Sequence, residues 1–214
     1  AMSKNVVYLD FRAALSAFDK FFYHGELRTK LNTEKNKKDF VRTRAPHLKR
    51  ALDTGMKSLE YRKSERPHGG VNRVLVEEEL AAVGAILGRK YSEIKIIRHS
   101  LFNCDAFSCF MTTEGLRYTE AFAGSGEFAV VRIVTSVLEA PEKSLVLLDE
   151  PEVSLHPGAQ DRLLDFLTTI VKKHKHQVVI STHSPAIVRK LPPEAIKVLA
   201  MDSLSGKVQL PRQS

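Results

Sequence analysis

The chain has 214 residues, enough for one large domain or two small ones, and its hydrophobic content of 43% is ordinary for a globular protein. No apolar run approaches the roughly 18 residues of a membrane span, and the first residues lack a signal-peptide pattern. The two cysteines, Cys104 and Cys109, lack the partners of a zinc site, and a reducing cytoplasm fits them best. Membrane-embedded, disulfide-rich and zinc-binding classes are therefore disfavoured.

The formal net charge of +8 is concentrated in one segment. From Arg28 to Arg66 there are 13 Lys/Arg and 5 Asp/Glu, a difference of +8, whereas the rest of the chain has 20 of each. A localised basic block indicates a polyanionic partner such as DNA. A solvated helical surface is the alternative, and the scarcity of aromatic side chains that could stack on bases slightly favours it.

Periodicity and turn residues divide the first 120 residues into short elements. In chain order, they predict a strand at Asn5–Leu9, a helix at Arg12–Tyr23, a polar helical segment from Glu26 to about Arg66 interrupted at Pro46 and Gly55, a loop at Ser64–Gly70, a helix at Val71–Leu87, a strand at Glu93–His99, and a hairpin of Phe107–Thr112 and Leu116–Thr119. These elements combine a short N-terminal strand and helices with a small β-hairpin.

The later residues alternate between strands and helices. They predict, in order, a buried helix at Glu127–Leu138, a strand at Leu145–Leu148, an amphipathic helix at Gly158–Lys173, a buried strand at Gln177–Ser181, and a hairpin of Ala195–Met201 and Lys207–Leu210 around Ser205-Gly206. A strand, helix, strand sequence predicts a parallel βαβ unit. We therefore expect an α/β fold with two segments, residues 1–121 and 122–214.

The stretch SLVLLDEPEVSLHP, from Ser144 to Pro157, is the most informative part of the chain. An apolar strand runs directly into two carboxylates, Asp149 and Glu150, and Pro151 then breaks the regular structure. In open α/β sheets, ligands bind outside the carboxyl ends of the strands. Two acids there suit Mg²⁺ binding and activation of the water that attacks a phosphate. Two solvated acids at a strand end are the alternative.

Two further motifs decide between these interpretations. Gly124, Ser125 and Gly126 precede the buried helix, and backbone N–H groups at such a helix N-terminus attract phosphate. The next strand ends in Thr182-His183-Ser184-Pro185, which places His183 on the same sheet edge as Glu150. A helix-capping or packing role is the alternative for His183.

The ordered set of GSGE, LVLLDEP and VVISTHSP resembles the C-terminal part of an ABC-type AAA ATPase, specifically the non-transporter branch with OLD-type and SMC-like enzymes. That resemblance covers residues 122–201 and implies a P-loop NTPase-like fold with a partial, mostly parallel sheet of about five strands and an inserted helical lobe. It also implies ATP and Mg²⁺ as cofactors, and many bacterial members of the branch belong to DNA-repair or phage-defence systems.

The resemblance implies roles for the residues that match its motifs. Asp149 would hold Mg²⁺, Glu150 would be the general base, and His183 would be the switch histidine at the γ-phosphate. Ser154, Leu155 and His156 would form the D-loop, which crosses to a second subunit. The signature loop, which caps ATP held by that subunit, would consist of Gly124, Ser125, Gly126 and Glu127, with the serine one place later than usual.

The 214 residues contain no phosphate-cradling GxxxxGK[ST] motif, the Walker A segment that this family needs. P-loop amides and a lysine supply most contacts to the β- and γ-phosphates. We therefore expect this chain alone to bind ATP weakly and to hydrolyse it negligibly. It would be either a piece of a larger ATPase or a natural partner that offers its signature loop to another subunit.

Three functions follow from these patterns. The first is an ATPase domain that dimerises around ATP and drives a nuclease or other DNA-processing partner. The second is a nucleic-acid-binding module that uses the basic segment from Arg28 to Arg66 on a degenerate ATPase fold. The third is an interaction subunit that pairs through an exposed sheet edge.

Overall fold

The computed structural model describes residues 4–11, 15–29, 32–56, 58–61, 64–67, 71–201 and 206–209. The strands, in chain order, are β1 (Val6–Asp10), β2 (Ser58–Tyr61), β3 (Ser64–Pro67), β4 (Asn72–Val74), β5 (Glu93–His99), β6 (Ala106–Thr113), β7 (Leu116–Thr119), β8 (Leu145–Asp149), β9 (Gln177–Ser181), β10 (Ala200–Met201) and β11 (Val208–Gln209). The helices are α1 (Ala17–Asp19), which continues into a π-helical turn at Lys20–His24, α2 (Lys37–Thr54), α3 (Glu77–Leu87), α4 (Ser125–Leu138), α5 (Pro157–His174) and α6 (Pro185–Lys190), and a 3₁₀ turn follows at Pro193–Ala195.

A parallel sheet in the order β1-β8-β9 carries the acidic stretch at its centre. Successive strand residues point to opposite faces, and the inward residues Leu9, Val146 and Leu148 are buried in the main core. The opposite face is open among the described residues, so that Tyr8 and Val179 are 58% and 50% exposed. The prediction that β9 is a buried strand was therefore wrong, because the described residues cover only one face of this sheet.

Helix α4 is the central element of the main core. Its buried side chains occur all round the helix, including Phe128, Val131, Val134 and Val137, as the sequence predicted. Helix α3 packs against both α4 and α5, and Leu163 of α5 is completely buried in the same cluster. The core thus fixes α4 and the parallel sheet relative to each other.

A second, antiparallel sheet has the order β4-β5-β6-β7 and packs on the main core. The β6–β7 hairpin turns at Glu114-Gly115 as predicted, and Gly115 has the positive φ of 74° that such a turn requires. Residues of this sheet, such as Ile96 and Met111, join the same core cluster as α4 and β8. The two predicted segments, 1–121 and 122–214, therefore share one core, and their division remains a prediction.

A second, smaller core lies under α2. Phe21 and Phe40 are completely buried, with their rings stacked at a centroid distance of 4.5 Å. Helix α2 continues through Pro46, where an interruption was predicted, because Pro46 is exposed and the carbonyl that loses its partner can meet water. The predicted interruption at Gly55 is confirmed by its left-handed backbone, with φ of 66°.

Three predicted helical segments have different bounds in the structure. The segment expected to be helical from Glu26 to about Arg66 forms α2 at Lys37–Thr54, so both predicted bounds were wrong. A β2–β3 hairpin follows, which overlaps the predicted loop at Ser64–Gly70. Val71–Leu87 is divided into β4 and α3, because pairing of β4 with β5 prevails over the apolar periodicity. The helix predicted from Arg12 is described only from Ala17, since residues 12–14 lie outside the described residues.

The hairpin predicted near the C-terminus is present as the short β10–β11 pair. Part of its turn, including Ser205, and its last residue, Leu210, lie outside the described residues, as do residues 68–70 of the predicted loop. The α/β class with a parallel sheet and a helical lobe is confirmed, although the parallel sheet has three described strands where about five were expected. No helix in the described ranges is long and apolar enough to cross a membrane.

Candidate functional site

Three polar side chains form a row across the C-terminal ends of the parallel strands. Strand register places Asp10 beside Asp149, and Asp149 beside Ser181. The Ser181 hydroxyl donates to Asp149 Oδ1, which orients this carboxylate. Asp10 was missed in the sequence, although VVYLD ends in aspartate just as LVLLD does.

The row of acids also affects the tyrosine beneath it. Tyr8 lies two residues before Asp10, on the open face of the sheet. The pKa of the Tyr8 hydroxyl is raised, first by partial desolvation and then by the negative charges of Asp10 and Asp149. Both carboxylates therefore act on the same end of the sheet, where a cation would be attracted.

Glu150 and His183 meet at this edge, as their strand positions predicted. The distance from His183 Nε2 to Glu150 Oε1 is 3.4 Å, and the Glu150 side chain is 12% exposed whereas that of His183 is 88% exposed. The Glu150 backbone N–H donates to the Ser181 carbonyl at 2.9 Å. A shielded carboxylate next to an exposed imidazole can accept a proton while the ring meets a ligand from solvent.

The loop that follows β8, residues 150–156, is compact and strained. Glu150 and Ser154 have φ values of 50° and 69°, in the left-handed region that favours glycine. Two turn hydrogen bonds hold the loop, from Val153 N–H to the Glu150 carbonyl at 3.1 Å and from Leu155 N–H to the Glu152 carbonyl at 2.9 Å. Strain of this kind persists only where surrounding contacts impose it, and it clusters at functional sites.

The predicted D-loop residues divide between surface and core. Ser154 and His156 are exposed, whereas Leu155 is buried in the main core. His156 is the N-cap of α5, where its Nδ1 accepts a hydrogen bond from Gly158 N–H at 3.2 Å. Leu155 therefore anchors the loop and leaves its two polar neighbours at the surface.

Several residues that the sequence did not single out connect this loop to the tip of β9. Glu152 Oε1 accepts hydrogen bonds from the Thr182 hydroxyl at 2.5 Å and from His183 N–H at 3.0 Å. The Ser184 hydroxyl donates to Gln160 Oε1 at 2.6 Å. The only sequence signal was the presence of polar residues directly after both strands, which is common in loops.

The predicted signature loop lies at the N-terminus of α4. Gly124 and Ser125 are exposed there, whereas Gly126 is buried against the 150–156 loop. A Cβ on Gly126 would lie 2.6 Å from the Ser154 carbonyl oxygen and 3.0 Å from Leu155 Cδ2. Glycine is needed at this position because the two loops touch backbone to backbone.

Glu127 makes several polar contacts within the chain that its sequence position did not reveal. Its carboxylate accepts hydrogen bonds from Tyr91 at 2.5 Å, Tyr118 at 2.8 Å and Gly124 N–H at 3.2 Å, and it pairs with Arg89 at 3.0 Å. Burial acts to raise the pKa of Glu127, but these hydrogen bonds outweigh it and the pKa is lowered. Its charge therefore stabilises the helix N-terminus, and its predicted role toward a cofactor remains a prediction.

The predicted DNA-binding segment presents fewer free charges than its sequence implied. Arg44 is buried and paired with Glu34, and Lys37 donates to the Phe22 carbonyl at 2.9 Å. Lys49 is paired with Asp53 at 2.5 Å. The exposed cations of this surface in the described ranges include Lys35, Lys38, Arg42 and Arg50.

Comparison with known proteins places the chain in a family. Residues 13–189 match the family described as "AAA domain, putative AbiEii toxin, Type IV TA system". The chain belongs to this AAA domain family. The match covers most of the chain, including α4, the acidic strand end and the histidine after β9.

A curated relative and several solved structures are similar to this AAA domain. Protein ea59 of Escherichia phage lambda is 38% identical over 69 residues, which are 32% of this chain and 13% of the phage protein. The AAA domain thus matches only a small part of that relative's length.

The similar solved structures concern SMC proteins. A chain from a study of ATP-driven dimerisation and DNA-stimulated activation of SMC ATPases has a TM-score of 0.39 and 13% identity, covering 84% of this chain and 90% of that one. The Pyrococcus furiosus Smc head with an extended coiled coil, bound to the C-terminal domain of ScpA, has a TM-score of 0.41 and 17% identity, covering 62% and 33%. An SmcHead bound to the C-winged helix domain of ScpA has a TM-score of 0.45 and 15% identity, covering 98% of this chain and 55% of that one.

Proposed function

We propose that this AAA domain contributes the Walker B, D-loop, switch-histidine and signature parts of an ATP-hydrolysing site. The observation that carries the proposal is the convergence of Asp149, Glu150 and His183 at one sheet edge, with Glu150 and His183 in contact at 3.4 Å. Membership of the AAA domain family supports the same assignment.

The donor set at this edge fits Mg²⁺. Asp10, Asp149 and Ser181 present carboxylate and hydroxyl oxygens, the ligands that Mg²⁺ prefers. Bound together with ATP, Mg²⁺ would neutralise charge on the phosphate oxygens. Asp149 would hold the cation directly or through water, and Asp10 would add negative charge beside it.

The neighbouring residues would act on the attacking water and on the phosphate. Glu150, shielded from solvent, would orient the water and accept its proton, while His183 would donate to the γ-phosphate. The backbone at the start of α4, where Ser125 is exposed, would cap a phosphate held by another subunit, whereas the Gly124 N–H already donates to Glu127. Ser154 and His156 are exposed where a second subunit would meet this edge.

A metal-binding measurement tests the proposal without relying on turnover. Mn²⁺ replaces Mg²⁺, millimolar ATP is added, and paramagnetic broadening of backbone amide NMR signals is mapped. We expect selective broadening near Asp149 and Ser181, reduced in Asp149→Asn. The control is Asp165→Asn, which removes an exposed carboxylate that pairs with Lys190 on α6. Equal broadening in the wild type and Asp149→Asn would contradict the proposal.

We expect a low affinity for ATP because the 214 residues contain no GxxxxGK[ST] motif. We expect no thermal shift at sub-millimolar ATP and negligible hydrolysis by this chain alone, since most phosphate contacts come from that motif. A clear shift at sub-millimolar ATP that is lost in Asp149→Ala or Glu150→Gln would contradict this expectation.

We further propose that the site is completed by a second subunit, either another copy or a partner ATPase or nuclease, with ATP shared between them. In the cell this assembly would serve DNA processing or phage defence. The test joins the chain to a Walker A-containing partner. Light scattering then gives the molar mass of the assembly with and without Mg²⁺ and ATP. A monomer under both conditions would contradict it.

DNA binding by the helical lobe is the second candidate function. Lys35, Lys38 and Arg42 are exposed on one basic segment, which supports attraction to phosphates. Reversal of these three charges to Glu should abolish salt-dependent DNA binding, whereas Lys172→Glu with Lys175→Glu, at the end of α5, serves as control. Affinity that does not change between low and high salt would exclude this function.

A further inference from the structure

Glu152 is the point at which the 150–156 loop holds the end of β9. One of its oxygens, Oε1, accepts both the Thr182 hydroxyl at 2.5 Å and the His183 backbone N–H at 3.0 Å. Hydrogen bonds to a carboxylate are stronger than those between neutral groups. The side chain therefore fixes the backbone at the residue whose ring reaches Glu150.

Further hydrogen bonds connect Thr182 to helix α5 and so support the contact between Glu152 and the end of β9. Thr182 Oγ1 accepts from Ser184 N–H at 3.0 Å, and the Ser184 hydroxyl donates to Gln160 Oε1 at 2.6 Å. The amide of Gln160, which is buried, donates to the Leu155 carbonyl at 2.9 Å. The loop, helix α5 and the tip of β9 are thereby joined in a closed circuit of polar contacts.

The His183 ring makes few contacts with the residues that the structure describes. Its side chain is 88% exposed, and its recorded polar contact is with Glu150 Oε1 at 3.4 Å. An exposed ring is not located by packing, so its position depends on the backbone from which it extends. That backbone is fixed by Glu152.

We propose that Glu152 is a positioning residue, which keeps the His183 ring within reach of Glu150 by fixing the His183 backbone N–H. This inference rests on the proposed function in that His183 and Glu150 form the hydrolytic pair. It adds a regulatory consequence: a movement of the 150–156 loop, which lies where a second subunit would bind, shifts His183 through the same carboxylate.

The proposal distinguishes three substitutions of Glu152 by the acceptor oxygen that each one leaves. Glu152→Gln keeps an acceptor oxygen at the Oε1 position, and Oε2 makes no hydrogen bond to any residue in the described ranges, so its replacement removes none. Glu152→Ala removes the acceptor altogether. Glu152→Asp keeps the charge but shortens the reach by one methylene, and it provides a milder variant if Glu152→Ala does not fold.

NMR of the 214-residue chain without nucleotide tests the proposal. The readouts are the hydrogen-exchange rate of the His183 amide and the nuclear Overhauser effect between the His183 ring and the Glu150 side chain. In Glu152→Ala and Glu152→Asp we expect the exchange rate to rise about tenfold, as loss of one charge-assisted hydrogen bond implies, and the Overhauser effect to be lost. Glu152→Gln, which keeps a neutral acceptor oxygen, should retain the Overhauser effect and raise the exchange rate by less than Glu152→Ala does. The exposed control Glu114→Ala should match the wild type.

Three results would overturn the positioning role. The first is an unchanged His183 exchange rate and Overhauser effect in Glu152→Ala and Glu152→Asp. The second is a uniform rise in exchange over all core amides, which would indicate general destabilisation. The third is equal loss in Glu152→Gln. Because no ATP or metal is present, these measurements are independent of the Mn²⁺ experiment, which alone decides the proposed ATP site.

Discussion

The contact between the N-terminus of α4 and the 150–156 loop predicts the effect of one methyl group. In Gly126→Ala, the new Cβ would lie 2.6 Å from the Ser154 carbonyl oxygen, closer than Cβ atoms in proteins approach backbone. Overpacking of this kind costs about 1–3 kcal/mol, and alanine returns up to about 1 kcal/mol as a better helix former. We expect a net loss of about 1–2 kcal/mol, which lowers the Tm of a chain of this length by about 2–8 °C.

The control for this substitution is Gly158→Ala. Gly158 and Gly126 are both the second residue of a helix, but a Cβ on Gly158 would meet its nearest neighbours, Arg162 and His156, at 3.4 and 3.6 Å. The measurement is thermal unfolding followed by circular dichroism, which should show an unchanged or higher Tm for the control. If Gly126→Ala is as stable as Gly158→Ala, the close contact between the two loops does not exist in solution.

Three further substitutions test the electrostatics and the end of β9. Burial raises the pKa of Glu120 from its ordinary 4.5 to about 7, so the native state loses on the order of 3 kcal/mol of stability as pH rises from 4.5 to 7. Urea unfolding at both pH values should show this loss in the wild type relative to Glu120→Gln. The same change in unfolding free energy with pH in both proteins would refute it. Arg44→Met leaves the buried Glu34 carboxylate without its ion-pair partner and should cost about 3–5 kcal/mol in urea unfolding, against less than about 1 kcal/mol for Lys49→Met in the exposed pair with Asp53. Ser184→Ala and Ser184→Gly both remove the hydrogen bond to Gln160, but alanine is the poorer N-cap, so Ser184→Ala should be less stable than Ser184→Gly by about 0.5–1 kcal/mol in urea unfolding; equal losses would exclude the capping role.

The parts of the fold with strong local signals were predictable from the sequence. The strand ending in Asp149, the buried α4 and the hairpin at Glu114-Gly115 have a clear period or a specific turn residue, and each is present with nearly the predicted bounds. The meeting of Glu150 and His183 was also predictable, because parallel strands end at one edge of their sheet.

The remaining features depend on contacts between distant residues. The split of Val71–Leu87 follows from backbone pairing with β5, which no local pattern contains. The bonds of Glu152 to the end of β9 join residues about 30 positions apart, and the buried state of Arg44 depends on Glu34. Exposure of one sheet face could not be predicted either, since apolar composition alone does not reveal whether a partner layer exists.

The left-handed backbone of Glu150 and Ser154 has a consequence for how the molecule responds to heat. Each such residue costs about 1–3 kcal/mol, which the hydrogen bond to Ser181 and the contact with Gly126 must oppose. A segment held against its own preference opens before the surrounding core, as a local unfolding unit. Warming should therefore separate Glu150 from His183 while the far-ultraviolet signal of the helices is still native, so that this edge of the sheet opens before the fold melts.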